Sequence, residues 1–276
     1  MKAWGVLAAA LGAVAASGAV ADDVFTGANV LGVTRVKSAA EYLPLAVAWG
    51  AVGASPAAPA ADAFVITANL KDGDELYVYD RAAGRYQVFT LMRDAAGDTW
   101  AAARVVHVGT GGAEVATGAA AEEVSLARGY GAWLHRPGAA ARADKAVYLA
   151  GQAESAPVSI TFAAATGNAK FGQTLFGPPA GAAGDFKLNG GAIDWSGAVK
   201  GDGAVKGDEI RLPLTDGTLQ TVEYTGTKWV RKYWERSANG VLRLKRDENP
   251  VIPRGQAAWY ARKAGNAALT VTWSEK

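Results

Sequence analysis

Cysteine is absent from this 276-residue chain. That excludes disulfides, thiol catalysis, zinc–thiolate sites and iron–sulfur clusters. Histidine is scarce: His107 and His135 are the only two. A metal site would therefore rest mainly on oxygen ligands. Charge of one sign is also lacking, because the formal net charge is +2. Such a balance gives no global drive toward nucleic acid or acidic membranes. Nucleophile and phosphate motifs are missing as well. No Gly-x-Ser-x-Gly elbow is present, and no Gly-Lys-Ser/Thr phosphate loop. The glycine-rich run Gly109-Thr110-Gly111-Gly112-Ala113-Glu114 has Glu114 where a dinucleotide fingerprint needs glycine, so it reads as a surface loop.

Beyond the N-terminus, no stretch is long and apolar enough to span a bilayer, which takes about 20 residues. At the N-terminus itself, Lys2 precedes an apolar run at 5–16 and the small-residue site Ala19-Val20-Ala21. A basic start, an apolar centre and an Ala-x-Ala end are the parts of a secretory signal. The sequence thus predicts cleavage after Ala21 and a mature chain starting at Asp22, secreted or held in the cell envelope. No membrane span is expected once the signal is removed.

What is present in abundance is β-pattern. In Glu75-Leu76-Tyr77-Val78-Tyr79 the apolar Leu76 and Val78 share one face, because strand side chains alternate. Ile210, Leu212 and Leu214 alternate in the same way. Further strands are expected at 86–91, 146–150, 218–224, 228–234, 241–245 and 267–272. Asp216-Gly217 is a two-residue hairpin signal, with 81–84 as its longer counterpart. Helix signals are few. Ser38 and Glu41 have capping-box spacing, but Pro44 follows too soon for a helix. Loops at 50–61, 109–121 and 177–184 are rich in Ala, Gly and Pro.

Landmarks also recur. Gly73-Asp74-Glu75-Leu76 returns as Gly207-Asp208-Glu209-Ile210, and Arg128-Gly129 with Trp133 returns as Arg254-Gly255 with Trp259. Trp100 and Trp229 lie between these markers in each copy. Conserved order with nearly conserved spacing predicts a duplication. The expected layout is a signal peptide at 1–21, a first β unit at 22–155 and its duplicate at 156–276. The expected fold is all-β, two related sandwich-like or barrel-like units of short antiparallel strands.

These landmarks resemble a family. Asn29-Val30-Leu31-Gly32-Val33 resembles the Asn-[Ile/Val]-Val-Gly-Tyr opening of uncharacterised secreted repeated-β proteins from the Verrucomicrobia, Kiritimatiellae and Planctomycetes, with Leu31 and Val33 departing from it. Those proteins carry a Leu-x-x-Gly-Asp-x-[Ile/Leu] strand, a Trp-containing hairpin and a Gly-x-x-x-Trp strand. Here these correspond to 70–76, Trp100 and 129–134, and in the second copy to 207–210, Trp229 and 255–260. The resemblance implies export and a repeated β architecture, and it brings no reaction or cofactor.

Candidate chemistry is sparse. His107 and His135 lack any sequence tie to a nucleophile, so no catalytic residue is assigned. Asp72, Asp74 and Glu75, with Asp202, Asp208 and Glu209, could suggest calcium or a glycosidase carboxylate pair, but ordinary Asp-Gly turn chemistry explains them. No metal or cofactor is therefore expected. Aromatics are the most suggestive feature: nine Trp and nine Tyr. In the strand Trp229-Val230-Arg231-Lys232-Tyr233-Trp234 both faces carry aromatic or cationic groups. Trp229, Arg231, Tyr233 and Trp234 are the expected ligand-binding candidates, because rings stack on sugars and cations pair with anionic groups. Trp133 and Trp259, with small neighbours on their face, are expected to be mostly buried and to act as core anchors.

The leading expectation is a non-enzymatic exported protein with a structural or adhesive role at or beyond the cell surface. Its expected partners are a surface glycan or other envelope proteins, and not nucleic acid. The alternative is a carbohydrate-binding module using exposed aromatics. A glycoside hydrolase is the third reading, and it needs two convergent carboxylates.

Overall fold

The computed structural model describes residues 31–51, 60–80, 85–95, 97–107, 114–115, 120–152, 157–179, 185–201, 205–214 and 218–273. The expected signal peptide, both hairpin tips at 81–84 and 215–217, and the unit boundary at 153–156 lie outside these residues.

The chain is all-β. Its first half holds β1 (Leu31–Lys37), β2 (Tyr42–Ala46), β3 (Val65–Ile66), β4 (Glu75–Asp80), β5 (Arg85–Asp94), β6 (Gly97–His107), β7 (Glu114–Val115), β8 (Gly131–His135) and β9 (Ala146–Gln152). Its second half holds β10 (Val158–Phe162), β11 (Phe171–Phe176), β12 (Phe186–Lys187), β13 (Glu209–Pro213), β14 (Leu219–Tyr224), β15 (Trp229–Arg236), β16 (Leu242–Asp247), β17 (Val251–Ile252), β18 (Ala258–Lys263) and β19 (Leu269–Trp273). Among the described residues, helix is limited to one turn at Ala61–Phe64 and three 3-10 turns.

Two six-stranded antiparallel sheets carry one connectivity. The first runs β2-β8-β4-β5-β6-β7 and the second β11-β18-β13-β14-β15-β16. Each has a smaller companion, β1-β9-β3 and β10-β19, that closes a sandwich over the large sheet's inner face. Every sheet draws all its strands from one side of residue 155, and no sheet closes into a barrel among the described residues. Register makes the correspondence specific. Leu76 lies opposite Leu134 as Ile210 lies opposite Tyr260, and Leu91 opposite Trp100 as Tyr224 opposite Trp229.

Alternation decides the two cores. In β4, Leu76 and Val78 point inward, with Phe89, Leu91 and Leu134 packed on the same inner face. In the second half Ile210, Trp229, Tyr260, Phe162 and Phe176 do the same. Tyr260 stacks on Phe162 at 3.9 Å, so the second core is an aromatic cluster. Gly32 shows why one glycine is needed: a Cβ there would sit 2.0 Å from the Trp49 ring. Pro44 sits on β2, an edge strand, where its missing N–H breaks no ladder.

Each core is tied at one end by a buried carboxylate just before the first Gly-Asp strand. Asp208 accepts from Arg262 Nη1 at 2.6 Å, Tyr260 Oη at 2.6 Å and the backbone N–H of Val199 at 2.9 Å. Asp74 accepts both guanidinium nitrogens of Arg142 and the N–H of Lys71 at 3.0 Å. Arg136 holds the chain position of Arg262, but it turns to the carbonyls of Ser38, Ala40 and Lys145. Burial lowers the Arg136 pKa, whereas the hydrogen bond to Asp74 raises that of Arg142. Both Gly-Asp carboxylates are thus internal ties, which leaves neither for calcium nor for glycosidic catalysis. Among the described residues, no three acidic or histidine side chains gather as a metal site.

Candidate functional site at the junction of the two units

The two large sheets meet through their outward faces, and the contact is reciprocal. The N–H of Ala46, at the end of β2, donates to the Gly255 carbonyl at 2.9 Å. The equivalent Gly177, at the end of β11, donates to Gly129 at 3.1 Å. Isolated bridges Leu45–Gln256 and Tyr130–Phe176 repeat the same relation. Gly129 and Gly255 both take positive φ, at 82° and 72°. A Cβ on Gly129 would reach Val158 and Ile160 of β10, and one on Gly255 would reach Thr34 and Val36 of β1. Each unit's glycine therefore seats against the other unit's first strand, an approximate two-fold relation.

Trp133 and Trp259 sit at the centre of this junction, with ring centroids 6.0 Å apart. Both are only partly exposed, as expected, but they join neither core and so are not core anchors. The correction follows from alternation: Leu134 and Tyr260 hold the inward positions, so the adjacent tryptophans must face outward. Small residues beside them, Gly131 and Ala257, admit the other unit's sheet: a Cβ on Gly131 would come within 2.7 Å of Ala257 and 2.6 Å of Leu175.

Two clefts flank the tryptophan pair. The larger, about 440 Å³, is lined by Tyr79, Tyr86, Tyr130, Phe171, Gln173 and Trp259, among others. The smaller, about 140 Å³, is lined by Tyr42, Pro44, Trp133, Pro213, Leu219 and Gln256. Register makes these the same place in the two units. Tyr79 opposes Tyr86 as Pro213 opposes Leu219, and Tyr42 and Gln173 both lie two residues before the partner of the junction tryptophan. Tyr130 corresponds to Gln256, one residue after the matched glycine. The three tyrosines of one cleft are thus proline, leucine and glutamine in the other. The architecture does not need them, because the equivalent corner folds without them.

The tyrosine corner is ordered. Tyr79 and Tyr86 lie 5.0 Å apart at 48°, and Tyr77 meets Tyr86 edge-on at 6.3 Å. The Tyr86 hydroxyl is pushed up to about 12, by burial first and by Tyr79 second. Tyr130 accepts the Thr161 N–H at 2.7 Å, which fixes its ring across the junction. Gln173 and Thr166 are exposed at the rim. Arg211 lies 5.5 Å from the Phe171 ring. A separate volume of about 430 Å³ shares Tyr79, Tyr130 and Gly131 with this cleft but is otherwise lined from the inward side of β4 and β5, by Val78, Asp80 and Gln87, and by Val124, Ser125 and Leu126. Among the described residues, Asp80 is the one carboxylate lining either volume.

The residues expected from sequence fall elsewhere. Trp229 is fully buried among Trp195, Tyr224 and Tyr260, because it holds the inward position opposite Tyr224. It cannot touch an external ligand, which corrects that expectation. Arg231 and Tyr233 share one face of β15, with Arg231 4.9 Å from the Tyr233 ring. Trp234 is 67% exposed on the opposite face. The four candidates therefore do not form one site. His135 hydrogen-bonds Glu75 at 3.0 Å and stacks on Tyr42 at 4.3 Å. His107 ends β6 opposite Arg85. Sequence reading missed Tyr79, Tyr86, Tyr130, Phe171 and Gln173. The one signal available was the mismatch of the two halves at these matched positions. Among the described residues no helix is long and apolar enough to cross a membrane. No family model, no curated protein and no solved structure matches this chain.

Proposed function

We propose that this is an exported, non-enzymatic protein that binds a glycan in the groove between its two units, and so serves an adhesive role at or beyond the cell surface. One observation carries the reading: the larger cleft has gained three tyrosines that its counterpart does without. Aromatic rings beside amide and hydroxyl groups suit sugar rings, whose C–H faces stack while their hydroxyls hydrogen-bond. One lining carboxylate among the described residues favours binding over hydrolysis, since glycosidases use a pair. Duplication of one ancestral unit belongs to the same proposal, supported by the shared strand order, and kinship with the secreted repeated-β group is supported by the sequence landmarks at 70–76, 129–134, 207–210 and 255–260.

The test is titration of the purified protein with a panel of oligosaccharides, followed by tryptophan emission, for which Trp259 is the reporter. Tyr79→Ala should weaken binding about five- to tenfold, the loss of one aromatic contact of about 1 kcal/mol. Leu219→Ala, at the matched position in the other cleft, should not. No saturable glycan binding, or equal effects of both variants, would sink the proposal. Export is checked separately by N-terminal sequencing of protein from the outside of the cell, which should begin at Asp22.

A further inference from the structure

Among the described residues, the end of the β15–β16 hairpin has no third strand. β14 pairs with β15 only as far as Arg231, whereas β15 and β16 pair from Arg231–Asp247 out to Arg236–Leu242. Residues 232–246 therefore form a two-stranded arm, and an isolated ribbon of this kind is marginal in water. Its two faces differ. On one, Arg231 pairs with Asp247 at 3.0 Å and Lys245 with Glu235 at 3.5 Å, so opposite charges are matched.

The other face is apolar at its centre and basic around it. Trp234 lies directly opposite Leu244, and Leu242 is the next residue on that face. Their exposures are 67%, 52% and 54%, which makes this a contiguous patch of large exposed hydrophobics. Lys232, Arg236 and Arg246 flank it on the same face. Lys232 reaches Glu223 at 2.8 Å and Arg236 reaches the Gly240 carbonyl at 3.2 Å, both in solvent, where such contacts are weak. Across 228–248 seven basic side chains stand against three acidic ones, while the whole chain carries only +2. Positive charge is thus concentrated on the arm.

We infer that this face of the arm docks on an anionic lipid surface, with Trp234, Leu242 and Leu244 entering the headgroup boundary and the flanking cations meeting lipid phosphates. Tryptophan and leucine ringed by Lys and Arg is the pattern of interfacial attachment. A glycan is the poorer fit, because leucines offer no flat ring to a sugar. A second copy is disfavoured by charge, since two cation-rimmed faces would repel. Nucleic acid would gain from stacking on one ring only. The site is separate from the inter-unit groove and stands whether or not a glycan binds there.

The experiment is flotation of the full chain with vesicles of phosphatidylcholine alone or mixed with phosphatidylglycerol, with tryptophan emission read in parallel. Binding is expected to the mixed vesicles only, with a blue shift, and to fall as salt rises. A Trp234→Ser/Leu244→Ser variant and a Lys232→Gln/Arg246→Gln variant should each lose at least about tenfold in partitioning. Both should keep the wild-type melting temperature, because the arm lies outside both cores. No flotation, equal binding to neutral vesicles, or binding unchanged in both variants would overturn the inference. So would a wild-type dimer that Trp234→Ser converts to monomer, which would assign the face to a second copy.

Discussion

Asp208→Asn is the most informative single change for the fold. The wild-type carboxylate is fully buried and accepts from Arg262, Tyr260, Val199 and, at 2.8 Å, the N–H of Lys263. An amide keeps the shape but loses the charge, so the Arg262 guanidinium stays buried beside a neutral group. One of its own N–H groups must also face donors. Breaking a buried pair on one side typically costs about 3–5 kcal/mol, mostly the penalty of the stranded charge. For a unit of this size that corresponds to a fall in melting temperature of roughly 10–20 °C. Calorimetry at neutral pH reads it directly. A second arm is the double variant: Asp208→Leu with Arg262→Met removes both charges and should recover a large part of the loss. A single mutant that melts within about 2 °C of wild type would refute the argument, and so would a double mutant no better than the single.

Three further outcomes follow from the packing. Trp229→Ala should cost about 3–5 kcal/mol in thermal or urea unfolding and leave glycan and vesicle binding of the folded protein unchanged, because the ring is wholly internal; wild-type stability with lost binding would restore it as a ligand contact. Stability should decline as pH rises from about 10 to 12: the unfolded Tyr86 ionises near 10 while the folded one holds its proton to about 12, so its contribution is complete below 10 and lost above. Tyr86→Phe should flatten that stretch of an alkaline unfolding series by up to about 2–3 kcal/mol, and an unchanged slope would count against the buried hydroxyl. Gly255→Ala should lower the melting temperature through strain at φ 72° and a Cβ placed 2.5 Å from Val36 in the other unit, at a cost of about 1–3 kcal/mol; a neutral result would mean that the units separate freely.

The strands themselves were legible because their chemistry is local. Alternation in 75–79 and 209–213 sets which side chains face inward, and Gly-Asp punctuation marks where each strand begins. Landmarks recur in one order along the chain, and the two six-stranded sheets share one strand order. What the outward faces meet is not a local property. Trp133 and Trp259 carry the same pattern as any strand tryptophan, and only the docking of one sheet on the other makes them a junction. Asp74 and Asp208 look like turn residues until Arg142 and Arg262 arrive from distant strands to pair with them. Tyr79, Tyr86, Tyr130, Phe171 and Gln173 come from three strands and a loop across both units, so no spacing along the chain groups them. Period-two patterning settles which residues share a face, while long-range register and sheet-on-sheet contact decide whether that face is core, cleft or solvent, and those depend on residues far apart in sequence.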